Sequence, residues 1–173
     1  MQQLFEYTFE IQEFEGLSPV NTTLSSGNGA GDDLEVPVEL GAVFAEISQV
    51  HVVTVAVRAP DAVAGAQRAN RLLRSAGITA VRLMADLVSL NEVGLRLEVT
   101  RQTASNWARG DRHKGKFPPP YVPGDSRLWY WPEVVQFCVA HEIQTEHLKP
   151  VSYPSRQELA VINGALVQTQ QWV

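Results

Sequence analysis

A run of hydrogen-bonding side chains with helical spacing lies just past the middle of the chain, in LEVTRQTASNWARG from Leu97 to Gly110. On a helix of about 3.6 residues per turn, the polar side chains and the small or aromatic ones separate onto opposite faces. The polar face carries Gln102, Ser105, Asn106 and Arg109, and the other carries Ala104, Trp107 and Ala108. In the major groove of DNA, Gln and Asn form hydrogen bonds with adenine, and Arg forms hydrogen bonds with guanine. This chemistry predicts a base-reading helix; an amphipathic surface helix with a solvated polar face is the alternative.

Two capping signals place this helix directly behind a shorter one. The sequence SLNE, from Ser89 to Glu92, is a capping box, and it predicts a first helix from Leu90 to about Leu97. Thr100 offers a second N-cap only a few residues later. A connection this short is typical of a helix-turn-helix and too short for a hairpin of long helices.

The segment DRHKGKFPPPYVPGDSRLWYW, residues 111–131, follows the second helix. It opens with cations suited to phosphate groups, namely His113, Lys114 and Lys116. The sequence PGD at 123–125 is a turn signal between YV at 121–122 and RLW at 127–129. Because three consecutive prolines exclude a central strand, we expect an edge hairpin, or wing.

Pro132 marks the first turn of a further helix, PEVVQFCVAHEI, with an apolar face for the core. The neighbouring Trp129 and Trp131 are expected to pack the wing on that core. Stacking of these rings on an unpaired base is the alternative.

Four residues with possible metal-binding or nucleophilic side chains lie close together in or just after this helix: Cys138, His141, Glu142 and His147. The spacing Cys-x2-His-x5-His matches no ligand pattern of a helix, and no oxyanion-donor motif accompanies the thiol. We therefore expect no catalytic residue, no metal, no cofactor and no enzymatic activity. Cys138 is the only cysteine, which fits a reducing compartment.

The first half of the chain carries strand and helix signals. Alternating residues from Phe5 to Ile11 predict a half-buried strand, and VHVVTVAV at 50–57 predicts a central one. A helix is expected to open at Pro60-Asp61 and to close at Gly77, with a short strand at 78–83. The run at 16–33 is Gly- and Ser-rich and reads as a loop. Its glycines do not match a phosphate-binding loop, because no strand leads in and no helix with a Lys follows.

Charge is distributed unevenly along the 173 residues, whose net charge is -5. Residues 1–57 contain nine acidic residues and no Lys or Arg, whereas 58–88 contain five Arg and two Asp. Residues 89–131 contain seven Lys or Arg and four acidic residues. Any polyanion is therefore expected to meet the middle of the chain. No apolar run approaches the roughly 18 residues of a membrane span, so we expect a cytoplasmic protein with no membrane partner.

The C-terminal segment carries another capping box, at 155–158. Leu159, Ile162 and Leu166 form an apolar stripe at helical spacing behind it. The stripe is expected to pack on its own domain, and packing on a second chain is the alternative.

The motifs LVSLNEVGLRLEVTRQTASNWARG, KFPPP, RLWYW and PEVVQF resemble the small winged helix-turn-helix domains of the MerR-like, excisionase and AlpA-type group of bacteria and phages. More narrowly, the chain is similar to actinobacterial-type proteins in which a small N-terminal α/β domain precedes that unit. The resemblance covers about Leu87 to Phe137. The 16–33 loop and the tail after Pro150 depart from the family pattern, and neither the coiled coil nor the effector pocket of full MerR regulators is matched.

The strand and helix signals of the first half predict a small α/β sandwich at 1–86, and the capping box at 155–158 predicts a helical tail at 148–173. The resemblance implies a winged helix-turn-helix at 87–147 between them, so the expected fold class is α+β. The resemblance also implies binding of double-stranded DNA. The positions that match the recognition helix and the wing, together with the neighbouring Thr100 and Arg112, give the expected DNA-binding set: Thr100, Arg101, Gln102, Ser105, Asn106, Arg109, Arg112, Lys114, Lys116 and Arg127.

Three functional hypotheses follow from these observations. The first is a transcriptional regulator, nucleoid-associated when bound and acting as a homodimer, whose acidic N-terminal domain dimerises or recruits a protein partner. The second is an excisionase-like recombination accessory factor. The third is an adaptor or antirepressor whose winged helix binds protein, because one fold supports unrelated functions. A positive surface around Gln102 would favour DNA, and an apolar one would favour protein.

Overall fold

The computed structural model describes residues 2–12, 42–47, 49–111, 116–143, 145, 148 and 150–170. Within them the chain is mixed α and β, with one four-stranded antiparallel sheet and five helices. It divides into two compact units, Met1–Met84 with Val151–Val173 (unit 1) and Ala85–Pro150 (unit 2). The loop expected at 16–33 lies outside the described residues.

The sheet of unit 1 has the strand order β2-β3-β1-β4. Its strands are β1 (Gln3–Ile11), β2 (Val43–Ile47), β3 (Val50–Ala59) and β4 (Ala80–Leu83). The central strand expected at 50–57 is confirmed, since β3 pairs with both β2 and β1. β1 lies between β3 and β4 and is antiparallel to both, so β3, the following helix and β4 form a split β-α-β unit.

The helix α1 (Ala62–Ser75) covers one face of this sheet. The Asp61 carboxylate caps it by accepting from the Ala64 backbone N–H at 2.8 Å. The alternation of β1 places Tyr7 in the core, where its hydroxyl donates to the Ala62 carbonyl at 2.7 Å. A Cβ built on Gly65 would lie 2.2 Å from that hydroxyl, so the close approach of α1 to β1 requires glycine.

The C-terminal helix α5 (Arg156–Gln170) belongs to unit 1 and contacts β4 and α1. Its apolar stripe, Leu159, Ile162 and Leu166, is buried. The amide of Asn163 accepts from the Leu83 N–H at 2.7 Å and donates to the Leu83 carbonyl at 3.1 Å. The first and last segments of the chain therefore share one core, where the sequence suggested a separate tail.

The described residues of unit 2 form three helices and a two-stranded sheet: β5 (Leu87–Val88), α2 (Leu90–Arg96), α3 (Arg101–Arg109), β6 (Trp129–Tyr130) and α4 (Trp131–Ala140). The turn after 121–122 closes through a single bridge between Val122 and Leu128. Trp129, expected as part of the hairpin, pairs instead with Val88, and this β5-β6 ladder was not expected from the sequence. α4 begins one residue before Pro132, which occupies its first turn.

An aromatic core holds unit 2 together. Trp129 and Trp131 are both 3% exposed, which confirms that they pack inside. The Phe117 ring lies 5.1 Å from that of Phe137 and 6.1 Å from that of Trp129, measured between centroids. Aromatic rings in edge-to-face contact at these distances contribute stabilising free energy in addition to that of the apolar area they bury.

No helix in the described part of the chain has the length and apolar character needed to cross a membrane.

Candidate nucleic-acid interface

Helix α2 begins at the capping box that the sequence predicts. The Ser89 N–H donates to the Glu92 carboxylate at 2.8 Å, and the Glu92 N–H donates to the Ser89 hydroxyl at 3.3 Å. Hydrogen bonds that the carboxylate accepts from the Ser89 backbone and from the Ser89 side chain favour its charged form and lower the pKa of Glu92. The start of α2 is thereby fixed.

The turn between α2 and α3 depends on a glycine. The Val99 N–H donates to the Gly94 carbonyl at 2.9 Å while Glu98 adopts a left-handed φ of 54°, which ends α2 in a Schellman motif. A Cβ on Gly94 would lie 2.9 Å from the Val99 carbonyl oxygen and 3.2 Å from the Arg101 nitrogen. The start of α3 can approach α2 this closely only because residue 94 has no side chain.

Helix α3 begins at Thr100, as expected, where the Thr100 hydroxyl accepts from the Thr103 N–H at 3.1 Å. One face of α3 is buried, with Ala104 at 0% and Trp107 at 4% exposure. The Trp107 ring packs on Phe137, 5.8 Å away between centroids. The division into two faces expected from the sequence is therefore present, and the buried face sets which way the polar one points.

The polar face of α3 carries a connected set of hydrogen bonds. The Gln102 amide nitrogen donates to the Asn106 side-chain oxygen at 2.9 Å, and Nη2 of Arg109 donates to the same oxygen. Nε of Arg109 donates to the Asp111 carboxylate at 3.0 Å. The structure thus brings three predicted residues together and adds Asp111, which sequence reasoning did not assign.

The remaining predicted residues are distributed around this set. Arg101 is exposed at the start of α3, and Ser105 is half-buried. Lys116 and Arg127 are exposed in the segment that follows α3. Arg112 and Lys114 lie outside the described residues.

Charge within unit 2 is concentrated in the part that contains α3. The unit contains eight acidic and eight Lys or Arg residues, but six of the basic residues and only two of the acidic ones fall within 100–128. Lys, Arg and hydrogen-bonding side chains are the groups that contact nucleic acid phosphates and bases. The segment around α3 therefore has the net positive charge that attracts a polyanion, although the acidic and basic residues of unit 2 as a whole are equal in number.

Arg96 has a structural role that the sequence did not indicate. Its guanidinium binds Asp86 through two bonds of 2.6 and 3.0 Å and lies 4.9 Å from the Trp131 ring centroid. Bidentate pairing and cation–π contact both fix the position of an Arg. These contacts connect the end of α2 to the start of α4, and no spacing rule would have predicted them because Asp86, Arg96 and Trp131 are far apart in sequence.

Of the Cys and His residues near the end of α4, the structure describes Cys138 and His141. The Cys138 side chain is fully buried, and burial raises the pKa of its thiol to about 11. The His141 ring packs on Phe137, 4.7 Å between centroids. Where the structure describes the chain, no group of three or more His, Cys, Asp or Glu is placed to hold a metal ion. His147 lies outside the described residues.

We expect the Cys138 thiol to resist alkylation in the folded protein at pH 8 and to react as soon as the protein unfolds, because the thiolate is the reactive form. The raised pKa also means that folding favours the protonated thiol. Its contribution to stability is present below the ordinary thiol pKa and is lost as the pH rises toward 11. Mass spectrometry of iodoacetamide-treated protein, with and without denaturant, measures the alkylation of Cys138. Rapid labelling of Cys138 without denaturant would contradict the expected resistance.

Comparisons of the chain with protein-family models, with curated proteins and with solved structures return no match.

Proposed function

We propose that the chain binds double-stranded DNA in a sequence-specific manner, and that α2, α3 and the Val122–Leu128 turn act as a winged helix-turn-helix. The observation that carries the proposal is the exposed face of α3, where Gln102, Asn106 and Arg109 form one hydrogen-bonded set above a buried Trp107. A helix held by its neighbours and presenting amide and guanidinium groups matches the chemistry of major-groove readout. The resemblance to MerR-like, excisionase and AlpA-type domains points the same way.

The basic residues around this helix are suited to contacts with DNA phosphates. Arg101, Lys116 and Arg127 are exposed, and Arg112 and Lys114 belong to the same stretch of sequence. Contacts of this kind hold a protein on the duplex without reading sequence. In this proposal the protein is a bacterial or phage transcriptional regulator that works in the cytoplasm at the nucleoid.

Binding of a protein partner by the same helix is the second candidate. It is favoured by exposed apolar side chains elsewhere in unit 2, most clearly Leu95 on α2 at 72% exposure and Val139 on α4 at 64%. The exposed side chains of α3 itself are polar or charged. Single exposed apolar residues are normal on protein surfaces, so the polar face of α3 favours DNA.

Selection of bound sequences from a randomised duplex library, at stated salt concentration, tests the proposal. Enrichment of a defined motif is expected, because base-edge contacts discriminate between sequences. Absence of any enrichment would reject DNA readout and favour the adaptor. If a motif is enriched, its location beside promoters or beside recombination sites would separate a regulator from an excisionase-like factor.

We expect a homodimer, or cooperative binding to adjacent sites, because one small module buries only on the order of 600–1,000 Å² on DNA. Unit 1 exposes apolar side chains on two elements that suit this contact, Val43 and Ile47 on β2 and Val161 and Val167 on α5. Sedimentation of the full chain measures its oligomeric state, and the symmetry of the selected motif shows whether two copies bind together. A monomer that binds isolated half-sites as tightly as full sites would contradict the expectation.

A further inference from the structure

The Arg109 guanidinium is held along one edge by two neighbours, and this bears on how it contacts a base. Its Nε donates to Asp111, and its Nη2 donates to the Asn106 side-chain oxygen. Nε and Nη2 form the side edge of the guanidinium, and neither of these two bonds uses Nη1, the other nitrogen of the end edge. An Arg can bind the O6 and N7 acceptors of guanine through two donors of one edge.

The backbone of Asp111 is itself fixed. Gly110 adopts a left-handed φ of 82°, and the Asp111 N–H donates to the Asn106 carbonyl at 3.0 Å. This Schellman-type ending places residue 111 next to the last turn of α3. The carboxylate therefore meets Arg109 as a consequence of how the helix ends.

Stability does not account for the Arg109–Asp111 pair. Both side chains are 56% exposed, and exposed ion pairs contribute little to folding. A carboxylate near the C-terminus of a helix also interacts unfavourably with the helix dipole. In addition, Asp111 is one of only two acidic residues within 100–128, where a negative charge would weaken attraction to phosphate.

We propose that Asp111 and Asn106 are positioning residues that hold Arg109 for end-on, bidentate recognition of a guanine, a proposal that rests on the DNA-binding function above. Asn106 then acts through Arg109 and does not read a base by itself, since its side-chain oxygen already accepts from both Gln102 and Arg109. This revises the adenine-reading role that the sequence suggested for Asn106. It also gives Asp111 a role in sequence specificity, although its negative charge by itself would weaken binding to DNA.

The test compares Asp111→Ala with the matched control Asp125→Ala, in the full chain. Each removes one exposed carboxylate from the same basic stretch, but only Asp111 is bonded to Arg109. Both variants are expected to bind random duplex DNA about threefold more tightly, because a negative charge is lost. Only Asp111→Ala is expected to lose preference for guanine, by about tenfold at one base pair of the selected motif. Circular dichroism verifies that both variants are folded.

Two further variants show how Asp111 and Asn106 act. Asp111→Asn keeps an oxygen that accepts from Nε, so it is expected to retain most of the guanine preference; a loss equal to that of Asp111→Ala would contradict positioning by this hydrogen bond. Asn106→Ala is expected to weaken the sequence preference at the same base pair as Arg109→Ala does. A weaker preference at a different base pair would show that Asn106 reads a base directly.

The outcomes separate this proposal from the function on which it rests. If Asp111→Ala and Asp125→Ala both gain affinity and keep the same sequence preference, positioning by Asp111 is overturned while DNA binding stands. If the unmodified protein enriches no sequence at all, DNA readout fails, and the positioning proposal fails with it.

Discussion

Gly65→Ala is expected to lower the free energy of unfolding by about 2 kcal/mol. Alanine gains about 1 kcal/mol of intrinsic helix propensity, but overpacking a core costs typically 1–3 kcal/mol and more when nothing can yield. Here the new methyl group would lie 2.2 Å from the Tyr7 hydroxyl, which is buried and bonded to Ala62, and 3.1 Å from the Ala59 side chain. Urea denaturation followed by circular dichroism measures the change.

Gly164→Ala provides the matched control for this prediction. It is the same substitution inside a helix, but a Cβ on Gly164 meets nothing within 4 Å. It is therefore expected to raise the free energy of unfolding by about 0.5–1 kcal/mol through helix propensity alone. Equal effects of the two substitutions would mean that the contact at Gly65 has no energetic consequence.

Tyr7→Phe tests the cause of the Gly65 effect. Alone it is expected to cost about 1 kcal/mol, because the bond to the Ala62 carbonyl is lost. Combined with Gly65→Ala it should restore part of the stability, since the hydroxyl is the atom in closest contact. Strict additivity of the two substitutions would show that the destabilisation comes from elsewhere in α1.

Arg109→Ala and Gln102→Ala are each expected to weaken binding to the best DNA site by about 1–3 kcal/mol and to relax preference at one or two base pairs. Binding to random duplex should change much less. Arg109→Lys is the control for charge, because it keeps the cation but lacks the planar pair of donors, so it should lose the preference while retaining attraction to phosphate. Fluorescence anisotropy on the selected site and on single-base variants measures these effects.

Replacement of both Lys114 and Lys116 by Ala is expected to have the opposite signature. If each lysine neutralises one phosphate, specific and random DNA should both be bound more weakly, and the slope of log K against log salt should flatten by roughly two units. An inversion, in which Gln102→Ala weakens all sequences equally and the lysine pair alters sequence preference, would overturn the assignment of roles. If neither set matters, α3 does not read DNA, and the protein-binding alternative takes its place.

Local features of this protein were predictable from its sequence because they depend on residues only a few positions apart. The capping box at Ser89, the N-cap at Thr100 and the helix end at Gly77 are all present where the sequence places them. The alternation of β1 and the two faces of α3 follow from the same short periods, 2 for a strand and about 3.6 for a helix. Nearest-neighbour sterics and backbone hydrogen bonding suffice to specify such features.

Only the tertiary structure decided which distant segments meet. The return of α5 to β4 through Asn163, the pairing of Val88 with Trp129, and the contact of Tyr7 with Gly65 each join residues that no local pattern relates. At the candidate interface, the structure likewise decided that Asn106 and Asp111 hold Arg109. Helical spacing determines which side chains share a face, but the partner of a long, flexible Arg depends on where the next segment ends the helix and turns back.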